Sequence, residues 1–194
     1  MNIFDYLPHV TWWAILLSAI PLPIFWWFKR FNIIQLLLGV VALFIAYFIE
    51  LAEELILGQG SILLMLVFLA PVVEEIAKFS MTYYKKNEKS AVGVGLGFAI
   101  FENAMYYTSL SASVGLLTLF MFREFQDPIL HTSTTSVSVK TWKKGMPWFL
   151  VAIAMHSFYN YLAIYDNIFY SVAISLAYLS ILIYIIHKDK KIKN

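Results

Sequence analysis

The chain has 194 residues, of which 61% are apolar, 18% aromatic and only 13% charged, with a net charge of +2. A water-soluble domain of this length could not hide so much apolar surface, so the composition favours a protein whose solvent is lipid. The lack of cysteine excludes disulfides, thiolate metal sites and a cysteine nucleophile, and the charge gives no reason to expect a nucleic-acid partner.

Long apolar runs predict an all-α, polytopic membrane helix bundle with about seven transmembrane helices. The runs cover about residues 10–28, 33–57, 61–84, 91–109, 114–139, 147–165 and 168–187. Pro21 and Pro23 predict a bend in the first helix, which we expect to be an uncleaved span. No repeat or linker divides the sequence, so we expect residues 1–194 to form a single transmembrane domain.

Basic residues predict the orientation of these helices. Apart from Lys78 and Arg123, they fall in four clusters: Lys29 and Arg30; Lys85, Lys86 and Lys89; Lys140, Lys143 and Lys144; Lys188, Lys190, Lys191 and Lys193. With seven spans, all four clusters lie on one face of the membrane. Because basic residues stay in the cytoplasm, we expect a multi-pass cell-membrane protein with its N-terminus outside and its C-terminus inside, the basic loops facing anionic lipid.

Ionisable residues interrupt the third and fourth predicted helices near their midpoints. Each such group inside a membrane costs about 2.5–3.5 kcal/mol, so by default it is paired and functional. The third helix contains FLAPVVEEIAKF, in which the i, i+4 spacing of Glu74 and Lys78 predicts an ion pair, with Glu75 on another face. The fourth helix carries Glu102 and Asn103.

Small and polar residues mark the neighbouring helices. Gly93, Gly95 and Gly97 precede Glu102, and they predict that another backbone approaches this helix closely. The fifth helix is the least apolar, so we expect it to line a cavity or to pack centrally. It carries Arg123, Glu124, Asp127 and His131, and the sixth carries His156 and Asn160 on one face.

The depth of these polar residues predicts that they meet. Counted inward from the basic clusters, Glu75, Glu102, His131 and His156 all lie at roughly 14–18 Å, given a rise of about 1.5 Å per residue. Four different helices therefore place an unusual polar residue at one level. We expect these residues to form one site.

Motifs in these helices resemble a known family. The elements VEEIAKF, GLGFAIFENAMYY, His131 and AMHSFYN, in this order, are similar to the PrsW family of intramembrane proteases and, more distantly, to type II CAAX prenyl endopeptidases and Abi proteins. The resemblance covers about residues 70–160. It implies a membrane-embedded peptidase acting on a membrane-tethered protein, and in bacteria the family is associated with anti-sigma-factor cleavage. Carried over by position, its functional residues are Glu74, Glu75, Lys78, Glu102, His131, His156 and Asn160.

Peptide hydrolysis requires an activated water, a stabilised oxyanion and a proton for the leaving amine. Our hypothesis makes Glu75 or Glu74 the general base toward a water that His131 or Glu102 also holds. The remaining roles are oxyanion donation by His156 and Asn160, ion pairing by Lys78 and support by Asn103.

The same groups could hold a divalent metal such as zinc, because carboxylates and imidazoles are zinc ligands. The candidate ligands are Glu75, Glu102, His131 and His156. No HExxH spacing occurs, and the sequence does not decide between no cofactor and a divalent metal. We favour a site that works without a tightly bound metal.

Other interpretations compete with the protease. Buried carboxylates could form the relay of a small proton- or cation-coupled transporter, although no inverted repeat is visible. The chain could also be a non-catalytic immunity or scaffold protein. Glu50, Glu53 and Glu54 share an i, i+3, i+4 pattern at the end of the second helix, where we expect an interfacial cap. Arg123, Glu124 and Asp127 are expected to neutralise one another.

Overall fold

The computed structural model describes residues 12–27, 31–57, 63–110, 116–164 and 168–191, and within these ranges the regular elements are helices. Nine α-helices in the described part are α1 Trp12–Ser18, α2 Leu22–Trp27, α3 Ile33–Leu57, α4 Ala70–Met81, α5 Glu88–Leu110, α6 Leu116–Ser138, α7 Thr141–Lys144, α8 Pro147–Ile164 and α9 Ile168–Lys191. A π-helical segment, Leu64–Leu69, runs directly into α4. The all-α prediction is confirmed.

Each predicted span corresponds to helical structure. The first is divided into α1 and α2 by a turn at residues 19–21, which confirms the bend predicted from its prolines. One helix of the described chain, Ile33–Ile56, is long and apolar enough by itself to cross a bilayer. Two shorter apolar stretches are Ala14–Phe25, which runs from α1 through the turn into α2, and Val172–His187 in α9. The number of crossings and the orientation of the termini stay predictions.

Glycines bring α5 into close contact with two helices. A Cβ at Gly97 would collide with the backbone carbonyl of Leu36 on α3, and one at Gly95 would lie 2.5 Å from the carbonyl oxygen of His131 on α6. The predicted close approach of another backbone is confirmed. Because α5 lies between α3 and α6, it holds Glu102 beside the helix that carries His131.

Helix α6 has a polar face although it is central to the bundle. Its consecutive residues Thr132–Ser136 are fully buried, and it packs against α5, α8 and α9. Hydroxyl groups in this run bond to backbone: Thr135 Oγ1 donates to the His131 carbonyl at 2.6 Å and Ser133 Oγ to the Tyr178 carbonyl at 3.1 Å. The prediction that this helix packs centrally is confirmed, and its polar face is directed at protein.

Candidate active site

Four helices bring six ionisable residues together. Helix α4 provides Glu74, Glu75 and Lys78, α5 provides Glu102, and α6 and α8 provide one histidine each, His131 and His156. Both histidines and the three α4 residues are buried, whereas 17% of the Glu102 side chain is exposed. Taking so many charged groups out of solvent is costly unless they compensate one another.

Lys78 is the only lysine or arginine of this cluster in the described chain. Its Nζ lies 2.7 Å from Glu75 Oε1 and 3.7 Å from Glu74 Oε2, and it stands 4.6 Å from the centroid of the Phe98 ring. The sequence predicts the Glu74 pair through the i, i+4 spacing, but the shorter contact is with Glu75 at i, i+3. The long lysine side chain reaches both carboxylates, so one ammonium compensates two adjacent charges.

The two carboxylate oxygens of Glu75 differ in the number of hydrogen bonds that they accept. Its Oε1 accepts from Lys78 Nζ, from Thr134 Oγ1 at 2.8 Å and from His156 Nδ1 at 3.0 Å. Its buried Oε2 has no hydrogen-bond partner among the described residues. The three donors fix the carboxylate in one orientation, and Oε2 is the oxygen left to accept a proton.

The carboxylate contacts also determine which nitrogen of each histidine carries the proton. A carboxylate oxygen accepts hydrogen bonds, so His156 Nδ1–H donates to Glu75 and leaves Nε2 as an acceptor. His131 Nε2 lies 2.6 Å from Glu102 Oε2, whereas His131 Nδ1 lies 2.8 Å from Lys78 Nζ and accepts from it. His156 therefore donates to a carboxylate through Nδ1 and has a lone pair on Nε2, whereas His131 directs Nε2 at a carboxylate and its Nδ1 lone pair accepts from Lys78.

Glu74 lies between these two lone pairs. Its Oε2 is 3.7 Å from His156 Nε2 and 3.9 Å from His131 Nδ1, and it has no hydrogen-bond partner in the described chain. These separations exceed hydrogen-bonding distance but suit a single atom placed between the groups. Ligand atoms of Glu74, His131 and His156 all lie within 4.8 Å of one another.

This donor set fits zinc in chemical type and spacing. One carboxylate and two imidazoles form a ligand set used by catalytic zinc, in which tetrahedral donors lie roughly 3.4 Å apart. The two carboxylate–imidazole separations, 3.7 and 3.9 Å, are a few tenths of an ångström longer, and the two imidazole nitrogens lie within 4.8 Å of each other. Metal-ligating histidines usually direct their other nitrogen at a carboxylate. Here His156 Nδ1 donates to Glu75, and His131 Nε2 lies 2.6 Å from Glu102 Oε2.

Three further residues predicted from the sequence, Asn160, Asn103 and Asp127, are not among the metal-ligand residues. Asn160 Nδ2 donates to the Leu66 carbonyl in the π-helical segment at 2.8 Å, and Asn103 is fully buried on α5. Asp127 belongs to a second polar group, where Tyr159 Oη lies 3.0 Å from Gln126 Oε1 and 3.5 Å from Asp127 Oδ1.

The structure also describes the carboxylates that were expected to form an interfacial cap or to neutralise a neighbouring charge. Glu50 and Glu53 are half-buried on α3 and Glu54 is exposed. Glu124 is buried on α6, while the Arg123 side chain lies outside the described part. None of these carboxylates belongs to the group that offers metal-ligand atoms among the described residues. Glu50 nevertheless lies close enough to Glu74, Glu102 and Lys78 for their charges to interact.

Sequence reasoning missed two participants. Thr134 is one of several hydroxyl residues in HTSTTSVS, and only its contact with Glu75 distinguishes it. The Leu66 carbonyl is exposed to Asn160 by the π-helical turn, which the sequence does not predict. An unusual density of hydroxyls beside His131 was the available signal for Thr134.

The fold and the site define a class: an all-helical protein with a buried carboxylate–imidazole centre. The family model described as "PrsW family intramembrane metalloprotease" matches residues 90–186. This chain belongs to the PrsW family of intramembrane metalloproteases. No curated protein and no solved structure was found to match it.

The matched region contains part of the centre. Glu102, His131, His156 and Asn160 lie inside it, and the α4 carboxylates precede it. The family's description as metalloproteases favours the metal-bound alternative over the metal-free one, and the Glu–His–His group is compatible with it.

Proposed function

We propose that this protein is an intramembrane peptidase that hydrolyses a peptide bond of a membrane-tethered protein, with the buried glutamates and histidines as its catalytic centre. One observation carries the proposal: ligand atoms of Glu74, His131 and His156, on three helices, lie close together. Beside them, Glu75 Oε2 is buried without a hydrogen-bond partner among the described residues. Membership of the protease family supports the reaction class.

Glu74, His131 and His156 would hold the divalent metal, zinc by the nature of the donors. When bound, such an ion lowers the pKa of water and polarises a carbonyl. Glu102 and Glu75 orient the two imidazoles by accepting from the nitrogens that face away from Glu74. This assignment moves Glu75 and Glu102 from the predicted ligand set to the carboxylates behind the histidines.

Glu75 is the proposed general base. Its Oε2 takes a proton from the attacking water as the water oxygen bonds to the substrate carbonyl carbon. The same oxygen then gives that proton to the leaving amine when the carbon–nitrogen bond breaks. Lys78, Thr134 and His156 hold Oε1 throughout, so the carboxylate does not have to reorient between the two transfers.

Asn160 has two possible contributions from one amide. One N–H donates to Leu66 and ties α8 to the segment that leads into α4. The second N–H can donate to the developing oxyanion, which is the role that the sequence predicts. Asn103 is assigned a supporting role on α5 beside Glu102.

We further propose seven crossings of the cell membrane, with the N-terminus outside, the C-terminus in the cytoplasm and the whole chain forming one domain. The arrangement of the basic loops supports this topology. Trp142 Nε1 donates to Thr82 Oγ1 at 3.3 Å, and the Trp142 ring stacks on Phe79 at 4.4 Å. The loop after α4 and the loop after α6 therefore meet at one end of the bundle, as loops on the cytoplasmic side would.

The proposal is tested by reconstituting the pure protein in liposomes with a panel of single-pass membrane proteins. We expect cleavage of at least one substrate by the wild type, inhibition by a zinc chelator and no cleavage by a folded Glu75→Gln variant. Glu53→Gln, the same change outside the centre, is the control. Normal cleavage by Glu75→Gln would reject the catalytic assignment. Ion flux that depends on Glu75, with no cleavage, would favour a transporter.

A further inference from the structure

Lys78 occupies one of the positions that a divalent cation needs. Its ammonium is fully buried and takes the lone pair of His131 Nδ1 at 2.8 Å, while Glu75 Oε1 lies 2.7 Å away. His131 Nδ1 is also the nitrogen that faces Glu74 Oε2. The histidine cannot give this lone pair to a metal and to an ammonium at once.

His131 has no second nitrogen to offer, because its Nε2 is already directed at Glu102 Oε2 at 2.6 Å. His156 differs, since its Nε2 faces Glu74 and, in the described part of the chain, no ammonium lies against it. Of the three potential ligands among the described residues, His131 alone is blocked by a side chain of the same protein.

We propose that Lys78 is a built-in competitor of the divalent metal, which binds fully only when the ammonium leaves His131 Nδ1. The inference rests on the metal-binding part of the proposed function. A dication and an ammonium within a few ångströms repel each other strongly in a buried site. Glu75 Oε1 and the Phe98 face, both already in contact with Nζ, are the groups that would retain the ammonium.

This arrangement compensates the buried carboxylates in both states. Without metal, Lys78 neutralises part of the charge of Glu74 and Glu75, so the pair remains buried. With metal bound, the ion would compensate the charge of Glu74, and Lys78 would compensate the charge of Glu75 alone. The cost of displacing the lysine weakens metal affinity below that of the same three ligands without it.

The test is zinc affinity, measured for pure protein in detergent by competition with a chromophoric chelator. Lys78→Met removes the ammonium with little change in volume, and we expect it to bind zinc at least tenfold more tightly than the wild type. Lys85→Met is the control, because Lys85 is an exposed residue of the following loop, and we expect no change. Equal affinities of Lys78→Met and the wild type would overturn the proposal.

Two further variants keep the test decisive. Removing Lys78 alone leaves two buried carboxylates, so Glu75→Gln/Lys78→Met, which removes one charge of each sign, is measured beside it and is also expected to bind more tightly than Glu75→Gln. His131→Ala/Lys78→Met should lose the gain, since the freed ligand is His131. A gain that persists without His131 would overturn the proposal.

Zinc titration separates this inference from the proposed protease. If Lys78→Met gains affinity but no substrate is ever cut by the wild type, the competitor role stands and the peptidase assignment fails. If the wild type cleaves its substrate but none of these proteins binds zinc, the peptidase stands without a metal and the competitor role is wrong.

Discussion

Two adjacent glutamate pairs occur in neighbouring helices of this chain, Glu53–Glu54 on α3 and Glu74–Glu75 on α4. The α3 pair is half-buried at Glu53 and exposed at Glu54, whereas both α4 residues are buried. Only the α4 pair is surrounded by an ammonium and two imidazoles among the described residues. An adjacent pair of carboxylates therefore does not form a site by itself. The α4 pair does so because side chains of other helices contact it.

The two pairs also differ in the residues found one helical turn later. Glu74 has a lysine four residues later, whereas the equivalent positions after Glu53 and Glu54 hold Leu57 and Gly58. An isolated carboxylate in an apolar site shifts toward its neutral form, and only a compensated one stays available as a base. Exchanging or removing the partners should therefore affect the α4 pair and leave the α3 pair unchanged.

The largest expected effect is on catalysis. Glu75→Gln should reduce kcat by about 10²–10⁴-fold, because an amide cannot take the proton from water. Glu53→Gln should leave kcat within about twofold, since Glu53 is half-buried, is not among the metal-ligand residues, and a change at such a position costs little. Both are measured as initial rates of cleavage in liposomes. Similar losses in the two variants would mean that the α3 pair shares the reaction.

The second largest expected effect is on the free energy of unfolding, which should change for variants of the α4 pair and not for those of the α3 pair. Lys78→Met leaves buried carboxylates without their cation, and breaking a buried ion pair costs about 3–5 kcal/mol in free energy of unfolding. Adding Glu75→Gln should restore part of this loss. Glu54→Gln should change the free energy of unfolding by less than about 0.5 kcal/mol. Denaturant titration of the detergent-solubilised proteins checks this, and a full, unrescued loss in the double variant would contradict the proposed pairing.

Several features of the α4 centre could be predicted by counting along helices. Lys78 one turn after Glu74, the glycines of α5 and the similar depth of four polar residues all depend on rise and angular spacing, which are constant in an α-helix. The approximate extent of the longer helices was predictable from their apolar runs, but the division of the third span into a π-helical segment and α4 was not. A sequence that gives depth and relative angle already restricts which residues can meet.

The rotation of each helix about its axis was not predictable. It depends on packing against neighbours, such as the α3–α5 contact at Gly97, and it decides which oxygen meets which nitrogen. For this reason the sequence left Glu74 and Glu75 interchangeable as bases. It also offered no reason to select Thr134 from a run of buried hydroxyls, nor to expect the π-helical turn before α4.

A smaller effect should result from Thr134→Val, which removes one of three donors to Glu75 Oε1. A hydrogen bond to a charged group contributes about 1.5–3 kcal/mol, so kcat should fall by roughly tenfold to a hundredfold. Thr135→Val is the matched control, since that hydroxyl donates to the carbonyl of its own helix. An unchanged kcat for Thr134→Val would remove Thr134 from the groups that orient the base.

The smallest expected effect belongs to Asn160, which connects α8 to the turn preceding the α4 pair. Asn160→Leu keeps the approximate volume of the side chain but removes the donor to the Leu66 carbonyl without adding a charge. The net loss of one neutral hydrogen bond, about 1 kcal/mol, predicts a roughly fivefold lower kcat. A loss of about 10²-fold or more in kcat with unchanged KM would be the result that supports donation to the oxyanion. A raised KM with unchanged kcat would instead limit Asn160 to holding the substrate site in shape, because the chemical step would then proceed without it.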